Sequence, residues 1–421
     1  MSKVDNQDDS RRVKARDEHP EPVEKLPRAH FIYRSLLNIT KPLFKLLFNL
    51  KIQEEPGLEK EHGPCLVLAN HVSYLDVLPA AYAMKWRDIN FVAGKELFYK
   101  PILGSLLRSL QAIPKEQFYP DPGSIGRILR ILRNDGVCIL FPEGQRSYTG
   151  APLAFSPGAA KLIKKLKIQV YTIRIKGAGL AWPRWADQLR RGRIEVELAS
   201  FMTKEEVQQH SLEEIQEKLS RAIYHNEYEW QEKSPKAHKY RSRKLAEGLE
   251  RIIYYCPSCK SELGFRSQKK QIFCRSCGAS YKLNADYSFN LDHASSPANP
   301  YLWTELQLKR MRAKLESAEP LYSGNLEYCT LNPESREPGP LQNGRLLLTE
   351  QSLELIPLEA GEKLELRSSS EGNTYVSLGN FVQLFGSDGT VYRLIPEHPA
   401  EVCKIVEALQ VRAEAQAQSL N

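Results

Sequence analysis

The chain has 421 residues, enough by length for two to four domains. With 42% hydrophobic residues it can bury a sizeable core, and its formal net charge of +8 favours an anionic partner. No run approaches the roughly 18 consecutive apolar residues of a spanning helix, and no signal-peptide pattern opens the chain, so a reducing compartment is expected.

Residues 1–28 hold seven acids, seven bases and few apolar side chains, and are expected to form a disordered lead-in. From 30 to 52, Phe, Leu and Tyr recur at helical spacing, interrupted by Arg34, Lys41, Lys45 and Lys51 and broken at Pro42. That pattern suits helices lying in a membrane interface, cations toward the lipid headgroups. An amphipathic helix packed on the chain's own core is the alternative. Short apolar runs then recur at Cys65–Ala69, Ile89–Ala93, Val137–Phe141 and Val170–Ile175, with amphipathic stretches such as Ser124–Asn134 and Pro157–Leu166 between them. The alternation predicts an α/β fold, a largely parallel sheet flanked by helices, extended by a strand at Ile194–Leu198.

Three of those runs end in reactive side chains. The first leads into Asn70-His71-Val72-Ser73-Tyr74-Leu75-Asp76, and ligands in open α/β sheets sit beyond the carboxyl ends of the strands. On one continuous helix His71 and Asp76 would point roughly 140° apart. They meet only if His71 lies in the turn and Asp76 in the first helical turn. A carboxylate on one imidazole nitrogen leaves the other to take a proton from a hydroxyl. Ser73-x-x-Asp76 also fits a capping box, in which Asp76 merely starts a helix. The other two runs lead to Gly94-Lys95-Glu96-Leu97 and to Pro142-Glu143-Gly144-Gln145-Arg146-Ser147. Arg146 offers a fork for phosphate or carboxylate, and Lys95 a second positive charge at the same sheet edge. Ten bases between 159 and 193, against Asp187 alone, would draw anionic substrates or headgroups to this face.

Asn70-His71-x4-Asp76 followed by Phe141-Pro142-Glu143-Gly144-Gln145-Arg146-Ser147 resembles the glycerolipid acyltransferase family, especially its 1-acylglycerol-3-phosphate acyltransferases, over roughly residues 30–225. Lys95-Glu96-Leu97 is similar to the family's Lys-Glu-Leu element, and Val170-Tyr171-Thr172-Ile173 takes the place of its fourth block. The resemblance implies an acyltransferase fold in which His71 deprotonates the acceptor hydroxyl and Asp76 orients it. That hydroxyl then attacks an acyl thioester of coenzyme A or acyl carrier protein, with no further catalytic cofactor. The resemblance also implies that Glu143, Gly144 and Arg146 bind the glycerol phosphate, with Lys95 a phosphate contact. Two departures stand out: Lys115 occupies the second block where the family has Arg, and the fourth block lacks its usual proline. A lysine supplies a point charge rather than a fork.

Residues 203–250 read as charged, solvated helix, with aromatic and basic side chains at a lipid surface the alternative, and 226–252 as a helical linker. Cys256-Pro-Ser-Cys259 and Cys274-Arg-Ser-Cys277-Gly278, with 14 residues between the pairs, predict a zinc ribbon over 253–290 held by structural zinc. The remaining cysteines are scattered and read as small buried hydrophobes. Strand-like segments between 320 and 415 and a helix near Pro399–Val411 predict a small antiparallel β domain that looks like the PH or GRAM kind. From 321 onward there are 14 acids and 7 bases, a poor match for anionic lipid, so a protein partner or self-association is expected there.

The expected protein is a peripheral membrane enzyme of the cytoplasmic face, acting in phospholipid biosynthesis without nucleic acid. It would convert lysophosphatidate and an acyl thioester into phosphatidate. Glycerol 3-phosphate or another lysophospholipid is the alternative acceptor, and a non-catalytic membrane adaptor the alternative class.

Overall fold

The computed structural model describes residues 27–419 apart from 59–62, 117–120, 291–295, 334–336, 360 and 369–373. The expected lead-in thus lies outside the described residues up to 26, and its last two positions already belong to helix α1 (Pro27–Phe48). Tyr33, Leu37, Phe44 and Phe48 form one buried stripe along α1, at helical spacing. Burial of that stripe contributes roughly 1.5–3 kcal/mol per side chain. Pro42 does not break the helix as expected. It cannot donate to the carbonyl of Asn38, but both residues are exposed, so water can take that bond.

In chain order there follow β1 (Lys51–Glu54), β2 (Cys65–Ala69), α2 (Val77–Ala83), β3 (Ile89–Gly94), a 3₁₀ turn (Lys95–Tyr99), α3 (Pro101–Ser109), β4 (Ile113–Lys115), α4 (Pro122–Arg133) and β5 (Val137–Leu140). Then come α5 (Gly158–Leu166), β6 (Gln169–Lys176), the single turn α6 (Ala178–Ala181), β7 (Glu195–Met202), α7 (Lys204–Gln209), α8 (Leu212–Ala222) and α9 (Glu227–Lys233). The first seven strands form one sheet in the order β1-β7-β6-β2-β5-β3-β4. The strands from β6 through β4 run parallel, whereas β7 lies antiparallel to β6 and β1 parallel to β7. The β6–β7 connection is a long loop rather than a packed crossover helix, which lets the chain reverse direction. β2 is buried throughout. Alternation sends Cys65, Val67 and Ala69 to the side of α1 and α2, and Leu66 and Leu68 to the side of α4, α5 and α8. The carboxyl ends of β2, β3, β5 and β6 therefore share one rim.

The expected linker at 226–252 is instead part of the core. Glu227, fully buried at the start of α9, accepts from the backbone N–H groups of Gly177 (2.6 Å) and Gly179 (2.8 Å). Tyr228, expected on a solvated face, is buried and stacks on Tyr301. After it, β8 (Phe265–Gln268), β9 (Gln271–Cys274) and β10 (Ser280–Lys282) make a three-stranded antiparallel ribbon. Helix α10 (Pro300–Glu316), which the sequence reading did not anticipate, drives the buried Trp303 between Phe265, Tyr281 and Phe289.

The C-terminal strands are β11 (Tyr322–Thr330), β12 (Gln342–Leu348), β13 (Leu353–Pro357), β14 (Leu364–Arg367), β15 (Tyr375–Ser377), β16 (Phe381–Gly386) and β17 (Val391–Pro396). Six of them close into an antiparallel barrel through pairing of β14 with β16, and β15 attaches outside to β16. Helix α11 (Pro399–Ser419) packs its Ala400, Cys403, Ile405 and Ala408 inward. One hydrophobic cluster runs without interruption from Tyr33 of α1 to Val411 of α11.

Within that interior Glu407 of α11 is fully buried, accepting from Tyr254 Oη (2.6 Å) and Gln307 Nε2 (3.3 Å). Burial pushes its carboxyl up from the usual 4.5 to about 8, against the pull of its hydrogen bonds. A carboxyl raised on folding contributes stability that is complete below its unfolded value and lost as pH climbs through the folded one. Glu407→Gln should therefore flatten the fall in unfolding free energy between pH 4.5 and 8, by on the order of 3 kcal/mol. Urea denaturation at the two pH values measures this, and an unchanged difference would assign the pH dependence elsewhere.

Candidate active site

β2 delivers Asn70 to the carboxyl rim. A buried amide must find partners. Its Nδ2 donates to the carbonyl of Ile175 (2.9 Å) and its Oδ1 accepts from the N–H of Ile175 (2.7 Å), which prolongs the ladder to β6. The chain then turns, and Asp76 stands at the N-cap of α2 rather than inside its first turn. Asp76 is fully buried, and its Oδ2 accepts from Val72 N (2.7 Å), Ser73 N (2.8 Å) and His71 Nδ1 (2.7 Å). Both readings of this stretch hold in part. The carboxylate ties down the turn, as half of a capping box does, and the same oxygen fixes the imidazole. The Ser73 hydroxyl does not complete the box: it accepts from Leu75 N (3.3 Å) rather than from Asp76 N, and donates to the carbonyl of Trp182 (3.0 Å).

The His71 ring stacks on Phe141 at 4.4 Å and keeps 18% of its side chain exposed. With Nδ1–H directed at Asp76, Nε2 is the nitrogen that can accept a proton. Burial lowers the His71 pKa most. Asp76 pushes it back up by hydrogen bond and charge, and Arg146 and Arg184 lower it further, leaving it below the ordinary imidazole value. The imidazole is therefore neutral at neutral pH, the state a general base needs.

The loop after β5 is bound to this turn at two points. The His71 N–H donates to Glu143 Oε1 (2.8 Å), and the Ser147 N–H donates to the carbonyl of His71 (2.9 Å). Glu143 is only 2% exposed, and its Oε2 accepts from Leu153 N (2.9 Å). Burial pushes its carboxyl up to about 8, against the downward pull of the Leu153 and His71 backbone bonds. This corrects the expected headgroup contact: both Glu143 oxygens are committed to backbone, so its place is that of an internal clamp. Gly144 is exposed at φ +70°, a left-handed conformation that costs other residues roughly 1–2 kcal/mol. Its N–H closes the turn onto Phe141 (3.0 Å).

Arg146 reaches the same rim as His71. Its guanidinium lies 3.9 Å from the centre of the Tyr74 ring, which in turn packs at 5.0 Å on Trp182. The buried Arg146 Nε meets no hydrogen-bond partner among the described residues. Lys95 and Lys115 are arranged differently from expectation. Lys95 Nζ pairs with Glu116 at 2.6 Å and Lys115 Nζ donates to the Glu116 carbonyl at 3.3 Å, so both are drawn toward Glu116. The second positive charge beside the Arg146 loop is instead Arg184, whose Nη1 donates to the carbonyl of Arg146 (2.7 Å) and to Gln145 Oε1 (3.2 Å). Sequence reasoning passed over the individual roles of Asn70, Tyr74 and Arg184. A polar residue directly after a buried strand was the one available signal for Asn70; Arg184 stood only as one of ten bases between 159 and 193, with nothing to single it out beyond its aromatic neighbours Trp182 and Trp185.

A second cluster lies in the ribbon. The Sγ atoms of Cys256, Cys259, Cys274 and Cys277 all lie within 4.8 Å of one another, with Cys256–Cys277 at 3.9 Å and Cys259–Cys274 at 3.8 Å. Disulfides need about 2.05 Å. A tetrahedron with metal–sulfur bonds of about 2.3 Å has edges of about 3.8 Å, and the Cys256–Cys277 and Cys259–Cys274 pairs match that edge. Each knuckle aims backbone N–H groups at a sulfur, those of Ser258 and Cys259 at Cys256, and those of Ser276 and Cys277 at Cys274. Gly278 (φ +78°) and Lys260 (φ +64°) make the same left-handed turn after each pair.

Residues 50–176, which carry most of the sheet and its paired imidazole and carboxylate, match the family model described as Acyltransferase. The chain is 26% identical over 122 residues to the 1-acyl-sn-glycerol-3-phosphate acyltransferase of Bacillus subtilis, covering 29% of this chain and 61% of that protein. It is 25% identical over 173 residues to the chloroplastic 1-acyl-sn-glycerol-3-phosphate acyltransferase BAT2 of Brassica napus, covering 40% and 48%. It thus spans about half to three-fifths of the length of these curated relatives. Among solved structures, the 1-acyl-sn-glycerophosphate (LPA) acyltransferase PlsC of Thermotoga maritima aligns with a TM-score of 0.40 and 20% identity, over 46% of this chain and 78% of that one. The family match and the curated relatives support the glycerolipid acyltransferase resemblance, and the match ends at residue 176.

Proposed function

We propose that the protein transfers an acyl chain from a thioester of coenzyme A or acyl carrier protein to the free hydroxyl of 1-acylglycerol 3-phosphate, forming phosphatidic acid. The observation that carries this reading is the Asp76–His71 pair at 2.7 Å beside the Arg146 guanidinium on one rim. In the reaction His71 Nε2 takes the proton of the acceptor hydroxyl as its oxygen attacks the thioester carbonyl. The tetrahedral adduct then collapses with departure of the thiolate, which takes up a proton. Asp76 holds the imidazole and offsets the charge it gains. Arg146 supplies the fork for the acceptor's phosphate, pre-set by Tyr74. No catalytic cofactor enters, because the thioester is already activated.

Helices α1 and α3 support a peripheral position on a membrane. Among the described residues no helix is long and apolar enough to cross a bilayer. Yet Phe31 (72% exposed), Ile39 and Leu46 of α1 and Ile102 (88%) of α3 present bulky apolar side chains outward, alongside Lys45 and Lys100. α3 leaves the sheet from the site's own rim, so a lipid surface there would bring the acceptor to His71. The cytoplasmic face is the proposed side. In the ribbon the proposed occupant of the four-cysteine cluster is a structural zinc ion, and the six-stranded barrel with its C-terminal helix fits the PH or GRAM kind.

A panel of acceptors with acyl-CoA tests the reading. Lysophosphatidate should be acylated, and Arg146→Ala should raise its KM by about 10- to 100-fold through loss of a charge-assisted pair. A lysolipid with a neutral headgroup should be far less affected. Inertness toward glycerol 3-phosphate and every lysolipid would leave the adaptor reading standing.

A further inference from the structure

The loop of residues 177–193 between β6 and β7 touches both the His71 turn and the Arg146 loop, and also the C-terminal half of the chain. Its Trp182 carbonyl accepts from Ser73 beside His71 (3.0 Å). Its Arg184 donates through Nη1 to the carbonyl of Arg146, while the Nη2 of the same guanidinium donates to the carbonyl of Val376 in β15. One planar fork thus spans the Arg146 loop and β15, the strand attached to the outside of the barrel. Two further contacts make the same connection. Arg251 grips Asp187 with two bonds of 2.7 Å and lies so close to Gly379, just beyond β15, that a Cβ there would come within 3.1 Å of it. Tyr148, two residues beyond Arg146, is buried against Cys403 and Glu407 of α11.

We propose that the C-terminal barrel positions the Arg146 loop through Arg184, so that the chain beyond the family match sets affinity for the anionic acceptor. The proposal rests on the acyl-transfer reading above. Arg146 contributes binding energy only if its loop is held before the ligand arrives, since ordering a loop on binding costs affinity. Tyr74 holds the face of the Arg146 guanidinium, and Arg184 holds its backbone. A lysine at 184 keeps the charge but cannot bridge two carbonyls with a planar fork. Arg184 is thus a positioning residue, acting through Arg146.

The test uses the full chain, lysophosphatidate in mixed micelles and acyl-CoA. Arg184→Ala should raise KM for lysophosphatidate about tenfold, with kcat and the KM for acyl-CoA little changed, and Arg184→Lys should recover only part of the loss. Hydrogen exchange should quicken together at residues 142–150 and 375–377 in both variants. Unchanged exchange at 375–377 while 142–150 loosens would remove the barrel from the proposal, and an unchanged KM would overturn it outright. Exchange needs no substrate, so a wild-type chain that fails to acylate lysophosphatidate sinks the acyl-transfer reading alone and leaves the mechanical link to be judged separately.

Discussion

His71→Ala should cut acyl transfer by about 10³-fold while leaving the melting temperature nearly unchanged, since general-base assistance is worth about 10²–10⁴. The ring is partly exposed and stacks on Phe141, so its removal leaves no sealed cavity. In the wild-type chain the acidic limb of the pH–rate profile should fall below the ordinary imidazole range. The working form is neutral, and burial, reinforced by Arg146 and Arg184, outweighs the upward pull of Asp76. Losing Arg146 or Arg184 should accordingly move that limb toward higher pH. Steady-state rates between pH 5 and 9 measure both effects, and a His71→Ala rate within tenfold of wild type would take the general base away from this residue.

Removing the zinc proposed for the four-cysteine cluster should be as damaging, but to the architecture. Metal analysis of the purified chain should find about one zinc per molecule, because four sulfurs within 4.8 Å of one another supply one closed site. Chelation, or Cys274→Ser, should lower the melting midpoint by roughly 10 °C or more, since structural zinc contributes folding free energy directly. The loss should spread. Phe265 and Tyr281 of the ribbon wall in Trp303, and Glu262 pairs with Lys404 of α11 at 2.6 Å. Activity should decline with the melt. A metal-free chain with the wild-type midpoint and full activity would contradict both the zinc and its structural role.

Much of the sheet was legible because β2, β3, β5 and β6 are buried apolar runs whose ends carry the polar motifs. β1 was not legible. Lys51-Ile52-Gln53-Glu54 is an edge strand with only part-buried alternate residues, so it carries little apolar signal. The direction of β7 was invisible too, because strand patterning says nothing about which way a neighbour runs. α10 escaped notice because Trp303, Gln307 and Met311 bury both apolar and amide surface, leaving a faint stripe among charges. At the site, residue types predicted the His71–Asp76 contact but not the work of Glu143. A motif glutamate reads alike whether it faces a ligand or two backbone N–H groups, and only burial separates the two. Glu227 misled for the same reason, since a charged helix start is normally solvated.

The uninterrupted apolar interior from Tyr33 to Val411 has a consequence for how such chains are divided. The family match stops at residue 176, yet Leu180 still accepts from Tyr287 (2.6 Å) and Arg193 from Tyr240 (2.7 Å), with the aromatic rings of both donors sealed inside. A fragment trimmed to the matched segment would surrender that seal and turn a greasy wall toward water. Swapping tails between relatives should fail for the same reason, because the ribbon and barrel are not passengers on an independent catalyst but the missing side of its interior.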